Sequence, residues 1–225
     1  MLLLSTAYFA PILYYSVLIR GEQVIMERHE NYNKQSYRNR CTIFSANGLL
    51  DLTVPVARTK EPKIPVTEVE IAYDMLWQKQ HFKTIESAYR RSPFYEYYID
   101  DLMTFFNGCH RYLYDFNMQI MRKVCSLIQI SPHVQESDIF MKSGEEITDM
   151  RNSIHPKMNG KTDTPHYAQV FAGKWGFQPN LSILDLLFNM GPETKNYLSI
   201  VSSDFFPTFT IFNSDKTKQT CKSNH

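Results

Sequence analysis

Charge is missing from the first nineteen residues, and the first basic side chain is Arg20. A long uncharged leader suits a secretory signal, a membrane anchor or buried core, and these three lead to different proteins. A signal peptide opens on a cationic region and closes on small residues at its cleavage site. Here no cation precedes Arg20, and Tyr14, Tyr15 and Leu18 occupy the zone where small residues belong. A spanning helix needs about 20 apolar residues and an unbroken backbone ladder. Pro11 interrupts that ladder, and Ser5, Thr6, Tyr8, Tyr14, Tyr15 and Ser16 make the run too polar. The reading that fits is core. Residues 2–9 form a buried strand, and Pro11 takes the first turn of a helix, where its missing N–H does no harm. Residues 12–19 continue that helix, Arg20 and Gly21 end it with a cation and a C-cap, and residues 24–28 form a second strand. Such a βαβ unit has parallel strands buried on both faces. No membrane span and a cytoplasmic location are expected.

Other absences narrow the chemistry. Cys41, Cys109, Cys125 and Cys221 include no C-x-x-C pair, which argues against a zinc site or a redox dithiol and for free thiols in a reducing compartment. Lys plus Arg number 24 against 23 Asp plus Glu, for a net charge of +1, so nothing draws the chain toward nucleic acid. H-E-x-x-H, G-x-S-x-G, a Walker loop and G-x-G-x-x-G are all missing, and with them any metal, acyl-serine or dinucleotide fingerprint. No metal is expected and no cofactor is assigned. There is no internal repeat and no low-complexity block.

The patterns that are present describe an α/β (or α+β) protein. An N-terminal βαβ unit plus a hairpin forms a mixed sheet, packed against a helical C-terminal half. Asn47-Gly48 is a hairpin turn signal between "RNRCTIF" and "LLDLTVPVA". "TKEPKIP" reads as a loop stiffened by Pro62 and Pro65, and "VTEVEIAY" alternates like a third strand. Trp77, His81, Ile85 and Ala88 recur at helical spacing. Ser92-Pro93 restarts a helix, with Ser92 as N-cap, over residues 94–106. Leu113, Phe116, Ile120, Val124 and Leu127 stripe another over residues 113–128. Residues 130–169 are polar, with a strand expected near 138–141 and then a long loop. Asn180 or Ser182 caps a buried helix, Asp185 completes a capping box, and Gly191-Pro192 stops it. One domain is expected over residues 1–200, with an added strand over 201–213 and a disordered polar tail over 214–225.

The densest polar group is "HENYNKQSYRNR", residues 29–40. It follows the second strand, at the edge where open α/β sheets gather ligands. With residues 36–44 extended, Arg38 and Arg40 point the same way and can grip a phosphate or carboxylate in bidentate fashion. Lys34 adds a third cation, His29 is the nearest titratable base, and Asn31 and Asn39 offer amides to hydroxyl groups. The plainer alternative is a solvated hairpin whose arginines pair with Glu27 or Glu30. His81 follows Trp77 on one helix face, where core packing competes with catalysis. Tyr89, Ser92 and Tyr95 gather at the helix break. His155 and His166 stand in the long loop with Arg151, as lid or as surface.

Three stretches together carry a family resemblance: "YFAPILYYSVLI", "VIMERHENYNKQSYRNRCTIFSANGLLDLTVPV" and "WQKQHFKTIESAYRRSPFYEYY". Over residues 7–200 the chain resembles the WbqC-like family of bacterial proteins. The resemblance implies a cytosolic protein encoded among genes for O-antigen polysaccharide assembly, and the family has no firmly assigned reaction. The opening is also similar to that of HIGH-type nucleotidylyl transferases. The positions of their histidines hold Ile12, Leu13, Tyr14 and Tyr15 here, which counts against nucleotidyl transfer. The expected function is a transferase or ligase-like enzyme acting on a phosphate-bearing small molecule or nucleotide sugar. Arg38, Arg40 and Lys34 would hold the phosphate. His29 would be the general base, with His81 as a second titratable group, and Tyr8, Tyr14 and Tyr89 would line the pocket. The rival is a non-catalytic anion-binding or scaffold protein of the same pathway.

Overall fold

The computed structural model describes residues 1–58, 63–142, 144, 147–156 and 164–204. The uncharged leader lies inside the protein. Strand β1 (Leu2–Leu4) leads through Pro11 into helix α1 (Ile12–Leu18), and every residue of both elements is buried. Strand β2 (Val24–Met26) then returns parallel to β1, with Leu2 opposite Val24 and Leu4 opposite Met26. This is the expected βαβ unit, with β1 shorter than residues 2–9. A helix buried all round has no polar face to offer water, so it needs neighbours on every side; fully burying each Leu, Ile or Val there is worth roughly 1.5–3 kcal/mol.

Two further strands extend the sheet. Strand β5 (Val134–Glu136) pairs with β2, and strand β6 (Thr148–Asp149) with β1, both parallel. The order is β5-β2-β1-β6 among the described residues. Between β2 and β5 in sequence come an antiparallel hairpin, β3 (Arg40–Ser45) with β4 (Gly48–Thr53), and three helices, α2 (Trp77–Tyr89), α3 (Tyr95–Asn107) and α4 (Leu113–Leu127). The α/β architecture with a helical later half is therefore present, and the hairpin stands as its own two-stranded sheet. Ser45 pairs with Gly48 across the turn. Gly48 has φ +99°, a backbone state that favours glycine.

The segment "VTEVEIAY" forms a 3₁₀ turn (Val66–Glu68) followed by single bridges, Ile71 to Val56 and Glu70 to Tyr112. It is not a strand: it threads between two neighbours and pairs with each only once. The strand expected near 138–141 lies earlier, at β5. Ser92 does not cap α3, whose N-cap is Phe94, and its buried hydroxyl has no hydrogen-bond partner among the described residues. Helix α5 (Ala172–Trp175) is one turn that reaches the hairpin, where Lys174 Nζ and Trp175 Nε1 both donate to the Ala46 carbonyl.

Helix α6 (Ile183–Met190) is nearly all buried and is capped by Ser182, whose Oγ accepts from the Leu184 N–H at 3.4 Å. Asn180 caps a different helix: its Oδ1 accepts the Leu13 N–H of α1 at 3.0 Å, beside an Ile12 N–H bond to the Leu181 carbonyl at 2.9 Å. The segment that leads into α6 thus satisfies two of the orphan N–H groups at the start of α1. Residues 194–204 are helical, so residues 201–204 continue a helix; the rest of the 201–213 segment and the 214–225 tail lie outside the described residues. Cys41, Cys109 and Cys125 are free thiols, and Cys221 lies outside the described residues. No helix among the described residues is long and apolar enough to cross a membrane.

Candidate functional site

Parallel strands all end on one side, and open α/β sheets place ligands there. Ser5 and Thr6 follow β1, Glu27 follows β2, Ser137 follows β5, and Arg151 comes two residues after β6. Backbone bonds hold these ends in register: Glu27 N–H to the Leu4 carbonyl, Ser137 N–H to Met26, and Met150 N–H to Leu3. The turn carrying Arg38 is pinned against them by a Tyr8 N–H bond to the Tyr37 carbonyl at 2.8 Å. Helix α4 sends Asn117 to the same place, where Nδ2 donates to the Arg38 carbonyl at 2.7 Å. The result is a cleft whose wall includes Ser5, Thr6, Tyr14, Tyr37, Arg38 and Arg151.

Among the described residues, both arginines at this edge are paired with carboxylates. Arg38, 4% exposed, donates from Nε and Nη2 to the two Glu30 oxygens at 2.8 and 2.6 Å, and from Nη2 to Ser5 Oγ at 2.6 Å. Arg151 grips Asp149 the same way, at 2.9 and 2.6 Å, and its Nη1 lies 3.5 Å from Glu27 Oε2. Glu27 is fully buried and also accepts from Ser137 Oγ, the His29 N–H and the Met141 N–H at 2.7–2.8 Å. Burial pushes the Asp149 carboxyl up, but the hydrogen bonds and charge of Arg151 outweigh it and hold the group below its usual range. Three carboxylates against two guanidiniums leave the edge formally one negative charge in excess. The cleft has room for about 20 Å³, about one water.

The expected site residues fall into three groups. Arg38 and Tyr14 line the cleft, and Tyr14 donates its hydroxyl to the Ser5 carbonyl at 3.0 Å. His29 is exposed and is not part of the cleft wall, but it hangs on the same strand ends: its Nε2 meets the Ser137 carbonyl at 3.1 Å. A carbonyl only accepts, so Nε2 carries the proton there.

The second group sits apart. Residues 36–39 form turns and bends instead of a strand, which begins at Arg40. Arg38 and Arg40 therefore do not share a face. Arg40 bonds the Gln35 carbonyl at 2.8 Å and approaches Asp51 at 3.5 Å on the hairpin. Lys34 is exposed, Asn31 is exposed and bridges to Pro65, and Asn39 is buried with its amide on the Val54 carbonyl.

The third group is core. His81 Nδ1 meets the Tyr8 hydroxyl at 2.9 Å and the ring also bonds backbone at Thr53; burial lowers its pKa to about 4. Tyr8 is fully buried, and Tyr89 accepts the Phe44 N–H at 3.1 Å. His166 stacks on Phe177 with ring centroids 4.3 Å apart. Among the described residues no group of three or more His, Cys, Asp or Glu is placed to hold a metal.

The sequence does not single out Ser5, Thr6 and Arg151 as cleft residues, nor Asp149 as the partner that holds Arg151. The signal that could have found them is position: each lies at the carboxyl end of a parallel strand, and only β1 and β2 were readable as strands.

Fold and cleft together define a parallel-sheet α/β protein with a paired-ion site at the carboxyl edge of its sheet. The family model of the WbqC-like protein family matches residues 6–162 and 150–197, and the chain belongs to that family. It is also similar to the uncharacterized protein Rv1507c of Mycobacterium tuberculosis, at 24% identity over 218 residues, covering 82% of this chain and 91% of the relative. No solved structure matches the chain significantly.

Proposed function

We propose that the chain is a transferase or ligase-like enzyme acting on an activated, phosphate-bearing precursor of bacterial surface polysaccharide of the O-antigen type. The observation that carries this reading is the meeting of Arg38 and Arg151 with Ser5 and Thr6 in one cleft at the carboxyl ends of the strands. Arg151, not Arg40 or Lys34, is the second cation of the reading. Bidentate carboxylates hold both planar forks in place, and a guanidinium has more N–H donors than one carboxylate takes, so a phosphate would meet the remaining donors of forks already oriented. His29 is the base. With its Nε2–H on the Ser137 carbonyl, a neutral ring keeps its lone pair on Nδ1, and one tautomer is defined. That nitrogen takes the proton of an attacking hydroxyl or amine.

The second reading is a non-catalytic anion-binding or scaffold protein. Its scaffold form is favoured by the pairing of Arg38 and Arg151 with carboxylates and by room for only a water-sized group.

A thermal-shift screen against nucleotides, nucleotide sugars and pyrophosphate separates the two. A ligand at about a hundred times its Kd should raise Tm by roughly 5–10 °C. Arg151→Lys, which keeps the charge and loses the fork, should lose most of that shift. His29→Ala should keep the shift and lose turnover in the enzyme reading; a shift without any turnover in the native chain supports the scaffold. No shift across the panel discards the phosphate-bearing ligand in both readings.

A further inference from the structure

A groove of about 610 Å³ lies between α4 and the strand β5, within the size range of small-molecule sites. Among the described residues β5 ends the sheet and pairs with β2 alone. Val134 and Glu136, two apart on that strand, face the groove together. Its floor is soft and apolar: Met118, Met121, Cys125 and Ile130 are each at most 9% exposed. The Cys125 thiol donates to Met121 Sδ at 3.8 Å, and burial pushes its pKa up to about 12, so it stays neutral. Unbranched thioethers adapt to the shape of an aliphatic ligand.

The rim is cationic. Arg28 and Arg122 both approach the one carboxylate of Glu136, at 3.4 and 3.7 Å, and their side chains are 46% and 64% exposed. Two guanidiniums around one carboxylate leave a formal charge of +1. The separations are longer than those of direct charge-assisted hydrogen bonds. Tyr114 is 2% exposed, and its hydroxyl faces the Glu136 carboxylate. Positive charge at the rim over a methionine floor is complementary to an anion with an apolar tail.

We propose that this groove binds a small aliphatic carboxylate, with its chain on Met118 and Met121 and its head between Arg28 and Arg122. None of these residues belongs to the cleft wall. The end of β2 serves both places: Glu27 turns to the ion pairs of the cleft, and the next residue, Arg28, turns to the groove.

The test titrates decanoate into the full chain carrying ¹³C-methyl methionine, with Met118→Leu and Met121→Leu assigning the two signals. Saturable shifts of both methyls are expected. Arg28→Gln and Arg122→Gln are exposed changes that should leave the melting curve in place and weaken binding by about fivefold each, the worth of an exposed ion pair. Decanol should bind more weakly than decanoate, and inorganic phosphate should leave both methyls unmoved. The proposal is overturned if the methyls do not respond saturably to decanoate, if decanol or the double variant binds as tightly, or if phosphate alone reproduces the shifts.

Discussion

Arg38 and Glu30 face each other through two hydrogen bonds with side chains only 5% and 9% exposed. Removing one member of such a pair leaves a buried charge without its counter-ion, which costs about 3–5 kcal/mol. Arg38→Ala should therefore lose that much stability in urea denaturation, and Glu30→Gln should also destabilise. Replacing both with apolar residues, Arg38→Met with Glu30→Leu, should recover most of the loss; a double variant as unstable as the sum of the singles would show that the pair is not coupled. Lost ligand binding in Arg38→Ala alone would thus mix unfolding with lost contact, which is why Arg151→Lys is the cleaner probe of the cleft. The residue types at this edge were legible in the sequence, as was Glu30 or Glu27 as the partner of an arginine. The burial was not. Alternation along an assumed strand put Arg38 and Arg40 on one face, but Gln35 at φ +57° and the bends after it turn Arg38 inward. A local pattern carries no term for a distant Ser5 that offers a bond.

Helices and short strands differ in how much of their cause is local. The α4 stripe, five apolar residues at helical spacing, predicted residues 113–128 and the helix is Leu113–Leu127. β5 and β6 span three and two residues with little apolar pattern, and they exist because β2 and β1 supply a ladder. Met150, Arg151 and Ile154 of the cleft wall follow β6, so that side of the site was invisible with the strand. Turn glycines follow the same division. Gly48 has φ +99° and nothing within 4 Å of an added Cβ, so Gly48→Ala should cost only the backbone strain, about 1–2 kcal/mol. Gly191, which ends α6, has φ +54° and would place a Cβ 2.5 Å from the Phe94 ring. Gly191→Ala should cost about 2–4 kcal/mol, strain plus overpacking. Urea denaturation of the two variants checks the order; equal losses would mean that the Phe94 ring yields freely.

Across the whole molecule, two buried titrations oppose each other. His81 is held at a pKa of about 4 by burial, partly offset by its bond to backbone at Thr53. A depressed histidine is neutral in the fold while the unfolded chain takes up a proton near pH 6.5. Its stabilising share is complete above that pH and is lost as pH falls toward 4, on the order of 3 kcal/mol in all. Asp185 runs the other way. Burial raises its carboxyl to about 6, although Tyr167, Tyr89 and Gln169 hydrogen-bond it and pull it down. Tyr167 donates to Oδ2 at 2.5 Å and Gln169 at 3.0 Å, while Oδ1 has no partner in hydrogen-bonding geometry among the described residues. This acid stabilises the fold when protonated, below the unfolded value near 3.9, and the share is lost as pH rises through 6. The two slopes nearly cancel between about pH 4 and 6, so the native chain should show a flat stability profile there. Asp185→Asn keeps an acceptor for Tyr167 and removes the charge. It should raise stability at pH 7 by on the order of 2 kcal/mol, change little at pH 4, and expose the acid-side decline that belongs to His81. Chemical denaturation at intervals from pH 4 to 7 reads this directly. If Asp185→Asn gains nothing at pH 7, the carboxylate is ionised in the fold at no cost, and the opposition between the two groups does not exist.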